Sequence, residues 1–81
     1  MRSQFRAINA DNGQAVEVEI FADNHRHGYT PTEGNSYLTL EGSGHWFAML
    51  GNRRVAQGEL ADGQFELIFS EGREPHINFH K

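Results

Sequence analysis

Glycine recurs at short intervals along this chain and divides it into runs that are too short for most helices. The nine glycines separate runs of about five to eight residues that are rich in β-branched and aromatic side chains. Such runs, bounded by turn residues, are typical of antiparallel β proteins. No window combines a helical repeat with a capping residue before it. The glycine spacing therefore predicts an all-β fold.

Two dipeptides, Asn12-Gly13 and Asp62-Gly63, are strong signals for tight hairpins between neighbouring strands. The run from Gln14 to Phe21 alternates between apolar and acidic residues, as expected for a strand with one buried and one solvated face. Together these signals predict an antiparallel meander of six or seven short strands. Its core lies on one face, so the sheet is expected to be strongly curled or to close into a small barrel.

The length of 81 residues allows a single domain spanning residues 1–81. A chain of this size buries only about 60% of the surface that its unfolded state exposes, so its core is thin. Residues 22–36 show no periodicity and are expected to form a long loop. Loops of this length are uncommon in small domains and are usually functional or disordered.

Composition excludes several classes of protein. The 7 basic residues are scattered among 11 acidic ones, which gives a net charge of −4 and leaves no clustered basic surface for nucleic acid. No run approaches the roughly 20 apolar residues of a membrane-spanning helix, and the first residues lack the apolar stretch of a signal peptide. The chain has no cysteine, which favours a reducing compartment. A cytoplasmic protein that binds neither membrane nor nucleic acid directly is expected.

Some large apolar residues break the alternation of their strands and fall opposite the core row. On an open sheet they would form an exposed apolar patch, which marks a dimer or partner surface. On a curled sheet, or under the long loop, they would be buried instead. Arg53 and Arg54 follow one of these runs and are placed to form a charged rim. The residues are Phe21, Phe47, Met49 and Ile68.

The pair His25 and His27 is the best local signal for a metal site. In an extended segment their side chains lie on the same side, about 6.6 Å apart, and Asp23 is a nearby oxygen ligand. Zinc needs three or four ligands, so the rest would have to come from elsewhere in the fold. His76 and His80 are about 13 Å apart on a strand, too far to share one ion.

No nucleophile elbow, phosphate-binding loop or dinucleotide fingerprint occurs, so neither an enzyme nor a cofactor is expected. The expected function is a non-catalytic protein-binding module. Small acidic chains without cysteine are typical of phage- or plasmid-borne inhibitors, which act by surface occlusion or mimicry. The partner would be another protein, including one that itself binds nucleic acid, or a second copy of this chain as a homodimer. The alternatives are a divalent-metal-dependent protein using His25 and His27, and a structural subunit of an assembly. The expected partner-binding residues are Asp23, His25, His27, Tyr29, Glu33, Tyr37, Phe47 and Met49.

Overall fold

A computed structural model of the chain describes residues 1–22, 25–29 and 37–81. These residues form strands and turns. They contain no helix, and therefore no helix of membrane-spanning length and hydropathy. The all-β prediction is confirmed. The eight strands are β1 (Arg2–Asn9), β2 (Val18–Ala22), β3 (His25–Tyr29), β4 (Leu38–Glu41), β5 (His45–Leu50), β6 (Arg53–Glu59), β7 (Gly63–Phe69) and β8 (His76–His80).

The strands form two four-stranded sheets. Sheet A has the order β4-β1-β7-β8, and sheet B has the order β3-β2-β5-β6. All the strand pairs of the described residues are antiparallel except β1 with β7, which run parallel from Ser3↔Gly63 to Asn9↔Phe69. A parallel pair needs a long connection between its two strands. Here the connection includes β2 to β6, which lie between β1 and β7 in the sequence.

The core lies between the two sheets. Trp46 of sheet B meets Phe5 and Phe65 of sheet A, with ring centroids 4.9 and 5.3 Å apart. Phe5 also stacks on Phe65 at 4.9 Å within sheet A. The side chains between the sheets come from alternating positions, as the pleat of a strand requires. The buried apolar residues are Phe5, Ala7, Val18, Ile20, Ala22, Leu40, Trp46, Ala48, Leu60, Phe65, Leu67 and Phe69.

The prediction of one strongly curled sheet or a small barrel is wrong. The two sheets are neither strongly curled nor closed, and residues 1–22, 25–29 and 37–81 form eight strands rather than six or seven. The meander is wrong as well, because consecutive strands change sheets four times. The physical reason is that a short chain with apolar rows on most of its strands can bury those rows by packing two open sheets face to face.

The two dipeptides that predicted hairpins both lie where the chain passes from one sheet to the other. After the Asn12-Gly13 turn the two arms share one isolated bridge, Ile8↔Ala15, and the chain then leaves sheet A for sheet B. Asp62-Gly63 leads from β6 in sheet B to β7 in sheet A. There the Asp62 carboxylate accepts a hydrogen bond of 2.7 Å from the backbone N–H of Arg2.

The predicted loop at residues 22–36 contains a strand. β3 pairs with β2 in a continuous antiparallel register from Val18↔Tyr29 to Ala22↔His25. It lacks apolar alternation because it is an edge strand, with His25 and Arg26 exposed. Strand β3 is therefore held in the sheet by backbone pairing with β2 and not by the burial of its own side chains. Asp23, Asn24 and the rest of the predicted loop, residues 30–36, lie outside the described residues.

Candidate functional site

The outer face of sheet B carries an aromatic stack. Phe21 and Phe47 are register partners on β2 and β5, and their rings lie nearly parallel with centroids 4.8 Å apart. Met49 follows two residues after Phe47 and therefore lies on the same face. All three are partly buried, while Ile20, Ala22 and Ala48 beside them are buried in the core. We call Phe21, Phe47 and Met49 the aromatic face.

Charged side chains flank the aromatic face. The Arg54 guanidinium lies over the Phe47 ring, 4.1 Å from its centroid, within the range of a cation–π contact. On the other side, Arg26 Nε lies 3.2 Å from Glu19 Oε2, and both side chains are largely exposed. The stacked rings therefore have an arginine on either side, which keeps an apolar surface within a polar rim.

A β-bulge explains why Arg54 reaches this face. Ala48 pairs with Ala56, but Met49 pairs with Arg54, so Val55 is an extra residue in β6. An extra residue in one strand of a pair offsets the alternation of its side chains on the two sides of the bulge. Arg54 is thereby brought above Phe47 rather than into the gap between the sheets.

A shallow open depression of about 420 Å³ borders the aromatic face. Its lining includes Phe47, Arg54, Gln57 and Glu59 on the outer side of β5 and β6. Gln57 Oε1 accepts a hydrogen bond of 3.3 Å from Arg54. A depression with an apolar floor and polar walls is suited to one side chain of a binding partner.

A second depression, of about 510 Å³, lies at the end of the sandwich near the β7–β8 turn. Two of the charged side chains that line it, Asp11 and Arg53, are engaged in contacts within the protein. Asp11 Oδ2 accepts a hydrogen bond of 2.9 Å from the Glu71 backbone, and Arg53 pairs with Glu74 at 2.9 Å. These contacts stabilise the turns. Arg53 therefore lies away from the aromatic face. The prediction of a rim formed by both arginines is not met, because Arg54 lies beside this face and Arg53 does not.

The paired histidines lie on the edge strand β3. His25 and His27 are the register partners of Ala22 and Ile20, so they occupy the row of β3 that continues the core side of β2. Their ring centroids are 6.4 Å apart. Within residues 1–22, 25–29 and 37–81, no group of three or more potential ligands could hold a metal ion. A third ligand would have to come from the remaining residues, which include Asp23.

The structure distributes the other predicted partner-binding residues over different surfaces. Tyr37 lies by sheet A, with the Arg6 guanidinium 5.5 Å from its ring centroid. Tyr29 ends β3 as the register partner of Val18. Asp23 and Glu33 lie outside the described residues. Of the eight residues expected to bind a partner, Phe47 and Met49 share the aromatic face, and Tyr37 does not.

Sequence reasoning identified the off-row position of Phe21, Phe47 and Met49 but missed part of their surroundings. Arg26 flanks the stack because β3 pairs with β2, and β3 was not predicted. Ile68, the fourth off-row residue, lies on the outer side of sheet A and is separate from the others. The broken alternation thus identified the residues of the aromatic face. Their neighbours could not be identified without the strand register.

Comparisons with protein-family models, with characterised proteins and with solved structures find no match for this chain. Its function therefore has to be inferred from its own residues and their geometry.

Proposed function

We propose that this chain is a non-catalytic protein-binding module whose partner docks on the aromatic face of sheet B. The observation that supports this most directly is the Phe21–Phe47 stack on an open sheet surface, 4.8 Å between centroids. Neither ring is part of the core between the sheets. The two rings are therefore available to a partner without any change in the packing between the sheets.

The composition of the face matches what protein interfaces use. Aromatic residues, methionine and arginine are enriched at interfaces, and a few of them carry most of the binding free energy. Here Phe47 lies at the centre, between Phe21 and the guanidinium of Arg54. A partner that covers Phe47 would desolvate the cation–π contact and strengthen it. We therefore expect Phe47 to contribute more to binding than its neighbours.

The kind of partner follows from charge. The net charge of −4 favours the approach of a basic protein, including one that itself binds nucleic acid, and at the face itself Glu19 and Glu59 are the groups that would meet its cations beside Arg26 and Arg54. Covering the basic surface of such a partner would block its normal ligand, which is how inhibitors of the phage or plasmid type act by occlusion or mimicry. The lack of cysteine favours the cytoplasm as the place where this occurs.

Affinity capture with matched variants tests this proposal. The tagged chain, a Phe21→Thr/Phe47→Thr variant and an Ile68→Thr variant are each incubated with lysate of the source cells. Threonine is used because it retains a high preference for strands. Ile68 is the control position because it is a partly buried apolar residue on the outer side of the other sheet. We expect a protein that the original chain and Ile68→Thr retain and that Phe21→Thr/Phe47→Thr loses. Equal retention by all three variants, or no specific protein at all, would contradict the proposal.

A metal-dependent function is the second candidate, because His25 and His27 are neighbours on an edge strand. A His25→Ala/His27→Ala variant separates the two functions. If this variant loses zinc binding and partner binding together, the metal reading is favoured. If a chelator leaves partner binding unchanged and Phe21→Thr/Phe47→Thr abolishes it, the aromatic face is the functional site.

A further inference from the structure

Strand β8 is the exposed edge of sheet A. All five of its residues are exposed, and within the part of the chain that the structure describes it pairs with β7 alone. Phe79 and Ile77 lie on its inner side, beside Phe65 and Leu67, yet 44% and 37% of their surfaces remain accessible. An edge strand also presents a row of unpaired backbone N–H and C=O groups. β8 therefore offers unsatisfied backbone groups and unburied apolar side chains in the same place.

The other edge strands are protected against pairing, and β8 is not. Natural edges carry charges, bulges or proline within the strand. Edge strand β6 has both arginines and a bulge, β3 has Arg26, and β4 is only four residues long and ends in Glu41. The five residues of β8 include no acidic residue, lysine or arginine, and their register with β7 is unbroken. Pro75 precedes the strand and leaves its interior open.

We propose that β8 pairs with β8 of a second copy of this chain, antiparallel about a two-fold axis at Asn78. This register places Ile77 of each chain opposite Phe79 of the other on the inner side. The two exposed apolar residues then cover each other and extend the contact between Phe79 and Phe65, whose centroids are 4.8 Å apart. Such cross-strand aromatic and β-branched pairs stabilise sheets.

The outer side of the same register is also self-complementary. Asn78 faces its own copy, and His76 of each chain faces His80 of the other. No acidic residue, lysine or arginine of one β8 meets one of the other in this register, in contrast to β6, where Arg53 and Arg54 would approach a second chain. The charge pattern therefore permits β8 to pair with itself.

The size of the contact sets its strength. A five-residue edge buries less than the roughly 1,600 Å² of a standard interface, so we expect weak association, in the micromolar range or above. The aromatic face lies on the other sheet and remains free in such a dimer. The dimer is therefore independent of the proposed partner binding, although two linked copies would bind a multivalent partner more tightly.

A single introduced cysteine tests the register, because the chain has no cysteine of its own. In Asn78→Cys the two sulfur-bearing residues face each other across the axis, with Cα atoms about 4.5–5.5 Å apart, a separation that a disulfide spans. In His76→Cys, on the same side of the same strand, the two copies are four residues apart, about 13 Å. We expect mild oxidation to link Asn78→Cys into dimers and to leave His76→Cys monomeric. Equal linking of both variants, or of neither, would overturn the proposal.

Sedimentation of uncrosslinked protein provides a second measurement, from about 10 µM to about 1 mM, where weak association becomes visible. We expect the original chain to shift from monomer towards dimer and Asn78→Lys to remain monomeric, since two ammonium groups would meet at the axis. Asn78 is exposed, so a lysine at this position displaces no buried side chain. Thr39→Lys, an exposed position on the opposite edge of sheet A, is the control and should still dimerise. An original chain that stays monomeric throughout, or that grows beyond a dimer as an assembly subunit would, contradicts the proposal.

Discussion

Gly58 lies directly opposite Trp46 in the β5–β6 pair, and a β carbon on Gly58 would come within 3.0 Å of the Trp46 indole nitrogen. Trp46 is 1% exposed and is fixed between Phe5 and Phe65, so its ring has little room to move away. The indole N–H has no hydrogen-bond partner among the residues that the structure describes. The absence of a side chain at Gly58 thus makes room for the largest side chain of the core.

Gly58→Val should therefore destabilise the protein, by about 1–3 kcal/mol, because overpacking displaces a fixed aromatic ring. Gly28→Val is the matched control on an edge strand, since a β carbon there meets no atom within 4 Å. The control should be neutral or slightly stabilising, as valine is the better strand former. Urea unfolding followed by fluorescence of the single tryptophan measures both variants. Equal stability of the two would show that the gap opposite Trp46 does not matter.

Gly63→Ala should destabilise the protein more than Gly72→Ala does. Both glycines have positive φ, 144° and 74°, so alanine is strained at each. At Gly63 the β carbon would also lie 2.6 Å from the carbonyl oxygen of His80 and 2.7 Å from the Phe79 ring, whereas at Gly72 it meets nothing within 4 Å. We expect about 1 kcal/mol for Gly72→Ala from strain alone and a clearly larger loss for Gly63→Ala. Thermal unfolding of the two variants gives the difference, and a larger loss for Gly72→Ala would contradict the close approach.

Ser3→Ala should cost about 1–3 kcal/mol, because it removes a buried hydrogen-bonding group and leaves its partners unsatisfied. Ser3 is fully buried, and its hydroxyl donates to the Ala61 carbonyl at 2.8 Å and accepts from the Ala61 N–H at 3.0 Å. It thereby ties β1 to the crossover between β6 and β7. Ser43→Ala, in an exposed turn, should change stability by less than about 0.5 kcal/mol. The free energy of unfolding in urea tests both, and a negligible effect of Ser3→Ala would exclude this role.

Glu66→Gln should reduce stability, whereas Glu74→Gln should not. Arg6 and Glu66 are register partners in the parallel β1–β7 pair, and Arg6 Nε donates to Glu66 Oε2 at 2.8 Å with both side chains mostly buried. The Arg53–Glu74 pair has a similar contact but is largely exposed, and such pairs contribute little. We expect a loss of about 1 kcal/mol for Glu66→Gln. Denaturation at low and high salt checks the assignment, since the exposed pair is screened more strongly. Similar losses for both substitutions would show that burial does not distinguish them.

Strand positions follow from the sequence where one face is buried. The run His45–Leu50, bounded by Gly44 and Gly51, is strand β5, and the alternating apolar residues Phe65, Leu67 and Phe69 are buried in β7. Alternation reports burial, and burial is what holds these strands. β3 has no such alternation, because an edge strand is held by backbone hydrogen bonds that any sequence can form. It could not be predicted from side-chain pattern.

Strand pairing is the part that periodicity does not determine. A hairpin dipeptide fixes a tight turn, but it does not decide whether the chain after the turn stays in the sheet, as Asn12-Gly13 shows. The parallel alignment of β1 with β7 joins residues 60 apart in sequence, and no local signal marks it. The same holds for the candidate site. Phe47 and Met49 could be identified from their off-row positions, whereas the approach of Arg26 depends on the unpredicted β2–β3 register.

The parallel β1–β7 pair has a consequence for biosynthesis. β1 is an inner strand of sheet A, and both of its neighbours are made later, β4 first and β7 near the end of the described chain. While the segment between β1 and β7 is still being translated, Phe5 and Ala7 therefore have no complete sheet to join. Sheet A is expected to form only after β7 has left the exit tunnel, and pairing between strands so far apart in sequence is slow.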